Sequence, residues 1–175
     1  MHARILSVIA VVAFVGSVSA QVTKSEVAGI RNYSRVDATV GCGGAVDPSA
    51  MASLKTEGYV SVINLRLATE AGADVEAGRA AAQTAGLKYI HLPFNSASPD
   101  PSVVSNFLSA VADKNNQPVF IHCGSASRVG AVWMIKRVLQ DGWAVDRAQT
   151  EATAIGLSSP ALVTFATNYI QEHRN

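Results

Sequence analysis

Cys123 and Arg128 are the residues of this 175-residue chain whose types and spacing best suit covalent chemistry. They sit in the run VFIHCGSASRVG, with four small residues, Gly124, Ser125, Ala126 and Ser127, between them. Small residues let the backbone curl tightly and turn successive N–H groups inward, and such a nest feeding a helix amino end is an anion site. The helix dipole and a nearby guanidinium favour a thiolate, which would make Cys123 a nucleophile. Arg128 can grip a tetrahedral oxyanion through two parallel hydrogen bonds, as a lysine could not. The plainer alternative is an inert cysteine buried at a strand end. Four small residues leading to an arginine, between an apolar strand and an apolar helix, speak against it.

The loop needs elements to hold it. A short apolar strand, Pro118 to His122, precedes it, and a helix apolar on most sides, Arg128 to Gln140, follows. Upstream, Ala38 to Gly41 reads as a strand broken by Cys42-Gly43-Gly44. Asp47-Pro48 then starts a helix running to about Glu57. Tyr59 to Leu65 and Lys88 to Leu92 are strands, and residues 74–85 between them are helix-favouring. Val104, Phe107, Leu108 and Val111 have helical spacing, and two more helices are expected near 144–154 and 160–172. Residues 21–38, polar and aperiodic, are expected to form an extended arm over the surface. Strands alternating with helices predict one α/β domain, residues 21–175, with a mainly parallel central sheet flanked by helices. Ligands in such sheets sit beyond the carboxyl ends of the strands, so loops starting at Gly41, Arg66, Pro93 and His122 should meet at the site.

Residues 1–20 have the layout of a secretory signal peptide: MHAR carries charge, ILSVIAVVAFVG is an apolar core of 12 residues, and Val18-Ser19-Ala20 suits cleavage. The core is too short for a spanning helix, so a periplasmic or secreted location is expected, with no stable membrane association after cleavage. Without Arg4 the 14 basic residues become 13, against 13 acidic ones. A neutral chain without basic clusters gives no reason to expect nucleic acid as a partner. In an oxidising compartment the two cysteines, Cys42 and Cys123, invite a disulfide; Cys42 could equally be a resolving thiol or a small core residue.

Three stretches together, IRNYSRVDATVGCGGAVDPSAMASLKTEGYVSVINLR, then GLKYIHLPF, then PVFIHCGSASRVGA, resemble the protein tyrosine phosphatase superfamily in its dual-specificity-like bacterial branch. The likeness covers roughly residues 30–142. It is to small phosphatase-like domains, such as those of beta-lactamase-hydrolase-like proteins and those fused to NAD-kinase-like domains. The resemblance implies a hydrolase that needs no metal or organic cofactor and acts on a small phosphorylated molecule or a phosphoprotein. Cys123 would attack phosphorus to give a cysteinyl-phosphate that water hydrolyses. Arg128 and the loop amides would stabilise the equatorial oxygens, and His122 would help set the thiol and the loop geometry. A general acid would come from the loop after Leu92-Pro93, where Asp100 is the carboxylate and Asn95 lies nearer the expected place. Asp100 could instead cap the next helix. Arg66 and Glu70, four residues apart, would form a surface ion pair or orient the reactive loop.

Three departures qualify the likeness. The family signature has five residues between Cys and Arg where this chain has four; its mid-loop glycine is missing; and Val129 replaces the hydroxyl residue after the arginine. A short loop also resembles rhodanese-type sulfurtransferases, which would carry a persulfide on Cys123. A non-catalytic module that binds an anion or a partner is the remaining alternative.

Overall fold

The structure is a computed structural model. It describes residues 22–174, so the expected signal peptide lies outside the described residues. Six strands form one sheet: β1 Thr23–Lys24, β2 Ser34–Arg35, β3 Val40–Gly43, β4 Ser61–Asn64, β5 Lys88–His91 and β6 Val119–His122. Their spatial order is β1-β2-β3-β6-β4-β5. The last four in that order are mutually parallel, while β1 and β2 add antiparallel at one edge. The α/β architecture expected from the alternating pattern is what is found.

All four residues of β3, β4 and β6 are buried, as central strands covered on both faces require. Their side chains alternate between two cores. Val62 and Phe120 face Met51, Leu54 and Ala82 from α1 Met51–Thr56 and α2 Val75–Thr84. Ile63, Ile121 and Cys123 face the opposite layer. That layer holds α3 Pro101–Ala112, α4 Ser127–Leu139, α5 Val145–Ile155 and α6 Pro160–His173. Ten of the thirteen residues of α4 are buried, which explains why its sequence is apolar on most sides.

Three expectations need correcting. The strand read as broken at Cys42 runs through it, Val40–Gly43, because Cys42 and Gly43 pair with Ile121 and His122. Residues 21–38 are not an arm over the surface: β2 pairs with β3 through Ser34↔Cys42 and Arg35↔Gly41, and Ile30, Tyr33, Ser34 and Val36 are buried. Strands of two residues are too short to show a period in sequence. The helix expected from Asp47 opens as a 3-10 turn, Pro48–Ala50, before α1 begins. Among the described residues no helix is long and apolar enough to cross a membrane.

Candidate active site

Beyond His122 the chain leaves β6 and curls into the reactive loop. The Cys123 N–H still donates to Gly43 O on β3, at 3.3 Å. Ala126 then takes the left-handed conformation, φ +80°, which turns its N–H back onto Cys123 Sγ at 3.2 Å. α4 starts at the next residue. Its first side chain, Ser127, accepts from the Ser158 and Ser159 amides at 3.1 and 3.3 Å, tying the α5–α6 loop to the reactive loop. Gly124 O accepts from Ala45 N at 3.0 Å, tying in the loop after β3. A cavity of about 490 Å³ opens above, with Ser125, Ser127, Arg128, Glu70, Asn95 and Ser158 among its lining. Cys123 is 1% exposed and is not itself among the lining residues.

Arg128 is clamped rather than free. Its Nη2 donates to Glu70 Oε2 at 2.8 Å and its Nη1 to Glu70 Oε1, so the two groups form a bidentate pair. Nη1 also reaches the carbonyls of Leu65 and Phe94, each at 3.1 Å. Glu70 is held in turn: Arg66 Nε donates to its Oε2 at 3.2 Å and the Leu67 amide to its Oε1 at 2.8 Å. Arg66 is spent on the Ala71 and Gly72 carbonyls as well. The pair read from sequence as Arg66–Glu70 therefore exists, and its carboxylate also carries Arg128. Burial alone would raise the Glu70 carboxyl, but the hydrogen bonds from Arg128, the Leu67 amide and Arg66 outweigh it and hold it down at about 2. Glu70 is thus a fixed anion at neutral pH.

His122 is buried on the α1–α2 side of the sheet, 6.4 Å from Phe120 between ring centroids. Burial, reinforced by the Arg66 and Arg128 charges, lowers it to about 4, so the imidazole is neutral. Cys42 and Cys123 are both buried free thiols. Burial, with Glu151 and Asp37 nearby, raises the Cys42 thiol far above its ordinary range and keeps it protonated.

Asp100 stands apart from the cavity lining. It is exposed at the amino cap of α3, where its Oδ1 accepts from Ser102 N at 2.8 Å. Asn95 does line the cavity, its Oδ1 accepting from Ala97 N at 3.0 Å. Glu70 is then the cavity's carboxylate, and it is already committed. Among the described residues no group of three or more His, Cys, Asp or Glu side chains is gathered for a metal ion. Sequence reasoning missed Ser158 and Ser159, brought to the rim by the packing of α5 and α6 on α4. It also missed Asn32, whose φ of +51° was its only local peculiarity and is invisible in sequence.

A loop that turns a backbone amide onto a cysteine sulfur, beside an arginine clamped by a carboxylate, agrees with the comparison to known families. The family of the beta-lactamase hydrolase-like protein, phosphatase-like domain, matches residues 32–140. The chain belongs to this family. The phosphatase-like match spans the sheet from β2 onward, the reactive loop and α4, while α5 and α6 lie beyond it. No curated protein matches the chain. Solved structures share the phosphatase-like fold. A DUF442 protein of Shewanella putrefaciens is 21% identical, with a TM-score of 0.70, over 84% of this chain and 96% of the other. TpbA of P. aeruginosa is 20% identical, with a TM-score of 0.67, over 89% and 91%. The core catalytic domain of the PP-IP phosphatase SIW14 of S. cerevisiae is 17% identical, with a TM-score of 0.66, over 81% and 87%. The fold is that of the protein tyrosine phosphatase superfamily, and family and fold together support a cysteine phosphatase.

Proposed function

We propose that the protein is an exported phosphatase that hydrolyses a phosphate monoester through a cysteinyl-phosphate on Cys123. The observation that carries this reading is the reactive loop itself: an amide on Cys123 Sγ at 3.2 Å and a guanidinium held in place beside it. The thiolate attacks phosphorus, an S–P bond forms and the ester P–O bond breaks. Water then cleaves the S–P bond, releasing phosphate and restoring the thiolate. Arg128 and the loop amides face the charge that grows on the equatorial oxygens. The leader-like residues 1–20 support export. The cavity is of a size for a small ligand or the tip of a phosphorylated side chain. Two structural relatives add context: a TpbA variant is seen with pTyr and the SIW14 domain with citrate.

Among the described residues no carboxyl lining the cavity is free to protonate the leaving oxygen, since Glu70 is an engaged anion and Asp100 caps a helix. Rates should therefore depend steeply on the leaving group. We expect p-nitrophenyl phosphate to be hydrolysed in the reduced protein, an alkyl phosphate far more slowly, and Asp100→Asn to keep about the full rate, because an acid role is worth on the order of 100-fold. Activity must vanish in Cys123→Ser. The loop of four residues favours a second reading, sulfur transfer. There Cys123 Sγ takes the sulfane sulfur of thiosulfate, releasing sulfite, and passes it to cyanide as thiocyanate. Thiocyanate formation without phosphate release would replace the first reading with the second. Silence in both assays, with anion binding lost in Arg128→Ala, would leave a binding module.

A further inference from the structure

Hydrogen bonds from outside the reactive loop decide which way its peptide groups point. The peptide joining Ser125 to Ala126 is trans, so its oxygen and its N–H lie on opposite sides. Its N–H is the one that donates to Cys123 Sγ. Its oxygen accepts from the side-chain Nδ2 of Asn32, at 3.2 Å. Rotating this peptide to take the N–H off the sulfur would break the Asn32 contact at the same time.

Asn32 is itself fixed. Its Oδ1 accepts from Lys24 Nζ at 2.6 Å, and a lysine ammonium can only donate, so the amide nitrogen must face the carbonyls. Those carbonyls are Ser125 O and Ile155 O, the latter an orphan acceptor at the end of α5 that Lys24 also reaches, at 2.8 Å. Gly156 makes the approach feasible. A Cβ there would lie 2.8 Å from Asn32 Nδ2 and 2.9 Å from the Ala126 methyl. The left-handed backbone of Asn32 also suits asparagine better than most residues.

We infer that Asn32, locked by Lys24, is a positioning residue that aims the Ala126 N–H at Cys123 and so supports its thiolate. The inference rests on Cys123 being the nucleophile of the proposed reaction. The charged and titratable groups around that sulfur are Arg128 on α4, Arg66 and Glu70 on the loop after β4, neutral His122 on β6 and Cys42 on β3; Lys24 on β1, Glu151 on α5, and Asp37 stand behind Cys42. Asn32→Gly keeps the left-handed backbone and removes only the amide; of these groups it touches Lys24 alone, which loses Asn32 Oδ1 and keeps Ile155 O, and the Lys24 variant measures that part separately.

The test is alkylation of the full chain by iodoacetamide as a function of pH, read by mass at Cys123 well below the thermal midpoint. In Asn32→Gly the rate at neutral pH should fall about five-fold, the worth of one hydrogen bond, and the pH midpoint of the curve should move up. Lys24→Gln should shift both in the same direction by less. That shift should persist in about 1 M salt, where the lost lysine charge is screened. Rates and midpoint unchanged in both variants, whatever happens to thermal stability, would overturn the positioning role. Because alkylation needs no turnover, that result is distinct from an inert Cys123 in the unsubstituted protein, which would overturn the proposed function instead.

Discussion

His122 lies directly before the nucleophile, buried, with neither ring nitrogen in a formed hydrogen bond; the backbone of Cys123 and Gly44 is its nearest polar company. Its folded value of about 4 lies below the ordinary 6.5, so the unfolded chain takes up a proton between those values that the folded protein refuses. Stability from this residue is therefore complete above pH 6.5 and is lost as pH falls toward 4, by about 3 kcal/mol at most. Denaturant melts across that window should show His122→Gln losing its share of the slope; parallel losses in both proteins would contradict it. Cys123, Arg128 and His122 could be picked out from sequence because one short run holds them all. Glu70 could be noticed only as a neighbour of Arg66. Its bond to Arg128 spans 58 residues, and only the folding of β4 beside β6 brings the two together.

Among the elements, α4 packs on α5 and on the turn after it, and the approach depends on Gly130. A Cβ there would sit 2.8 Å from Ala152 O and 3.0 Å from Leu157 N, both backbone atoms that cannot swing aside. Alanine is the better helix former by about 1 kcal/mol, but forcing the helices apart costs about 1–3 kcal/mol, so the clash wins. Gly130→Ala should lower the unfolding free energy by about 1 kcal/mol, the clash less the gain in propensity, and the denaturation midpoint with it. It should also loosen the Ser158 and Ser159 amides from Ser127 Oγ, visible as faster amide hydrogen exchange at those two positions. An unchanged or raised midpoint would show that the helices can yield. The helices and central strands were readable in advance because each is long enough, or apolar enough, to show its period. β1 and β2 were not: each has two residues and draws its order from pairing with a neighbour. That blindness hid Lys24 and Asn32, since a segment expected to lie over the surface offers no reason to look for contacts with the reactive loop.

Across the whole molecule the sheet separates two cores, and the larger one has a charged network within it. Arg137 of α4 donates to Glu151 of α5 through Nε at 2.7 Å, and to Asp141 through Nη1 at 2.9 Å. Trp133 Nε1 donates to the same Glu151 oxygen at 2.8 Å. The guanidinium also stacks on Trp133 and Trp143, at 4.7 and 4.4 Å from the ring centroids. Sequence showed the tryptophans only as packing residues: Trp133 and Arg137 share α4, but Glu151, which joins them, lies on α5 and is brought to them only by the packing of the two helices. Glu151 is 7% exposed, so deleting its side chain leaves a buried cation short of one partner and an indole N–H with none. Breaking a buried pair costs on the order of 3–5 kcal/mol, and the remaining carboxylates of Asp141 and Asp37 place this case at the lower end. Glu151→Ala should therefore lose about 3 kcal/mol in urea unfolding with an unchanged m-value. Glu151 touches no part of the reactive loop, so Cys123 alkylation well below the transition should keep its rate. A loss under about 0.5 kcal/mol would mean that water enters the helix interface and screens the network as it does a surface pair. A slowed Cys123 would mean instead that the helical layer and the reactive loop move as one unit, with the α5 terminus at Ile155 as the joint between them.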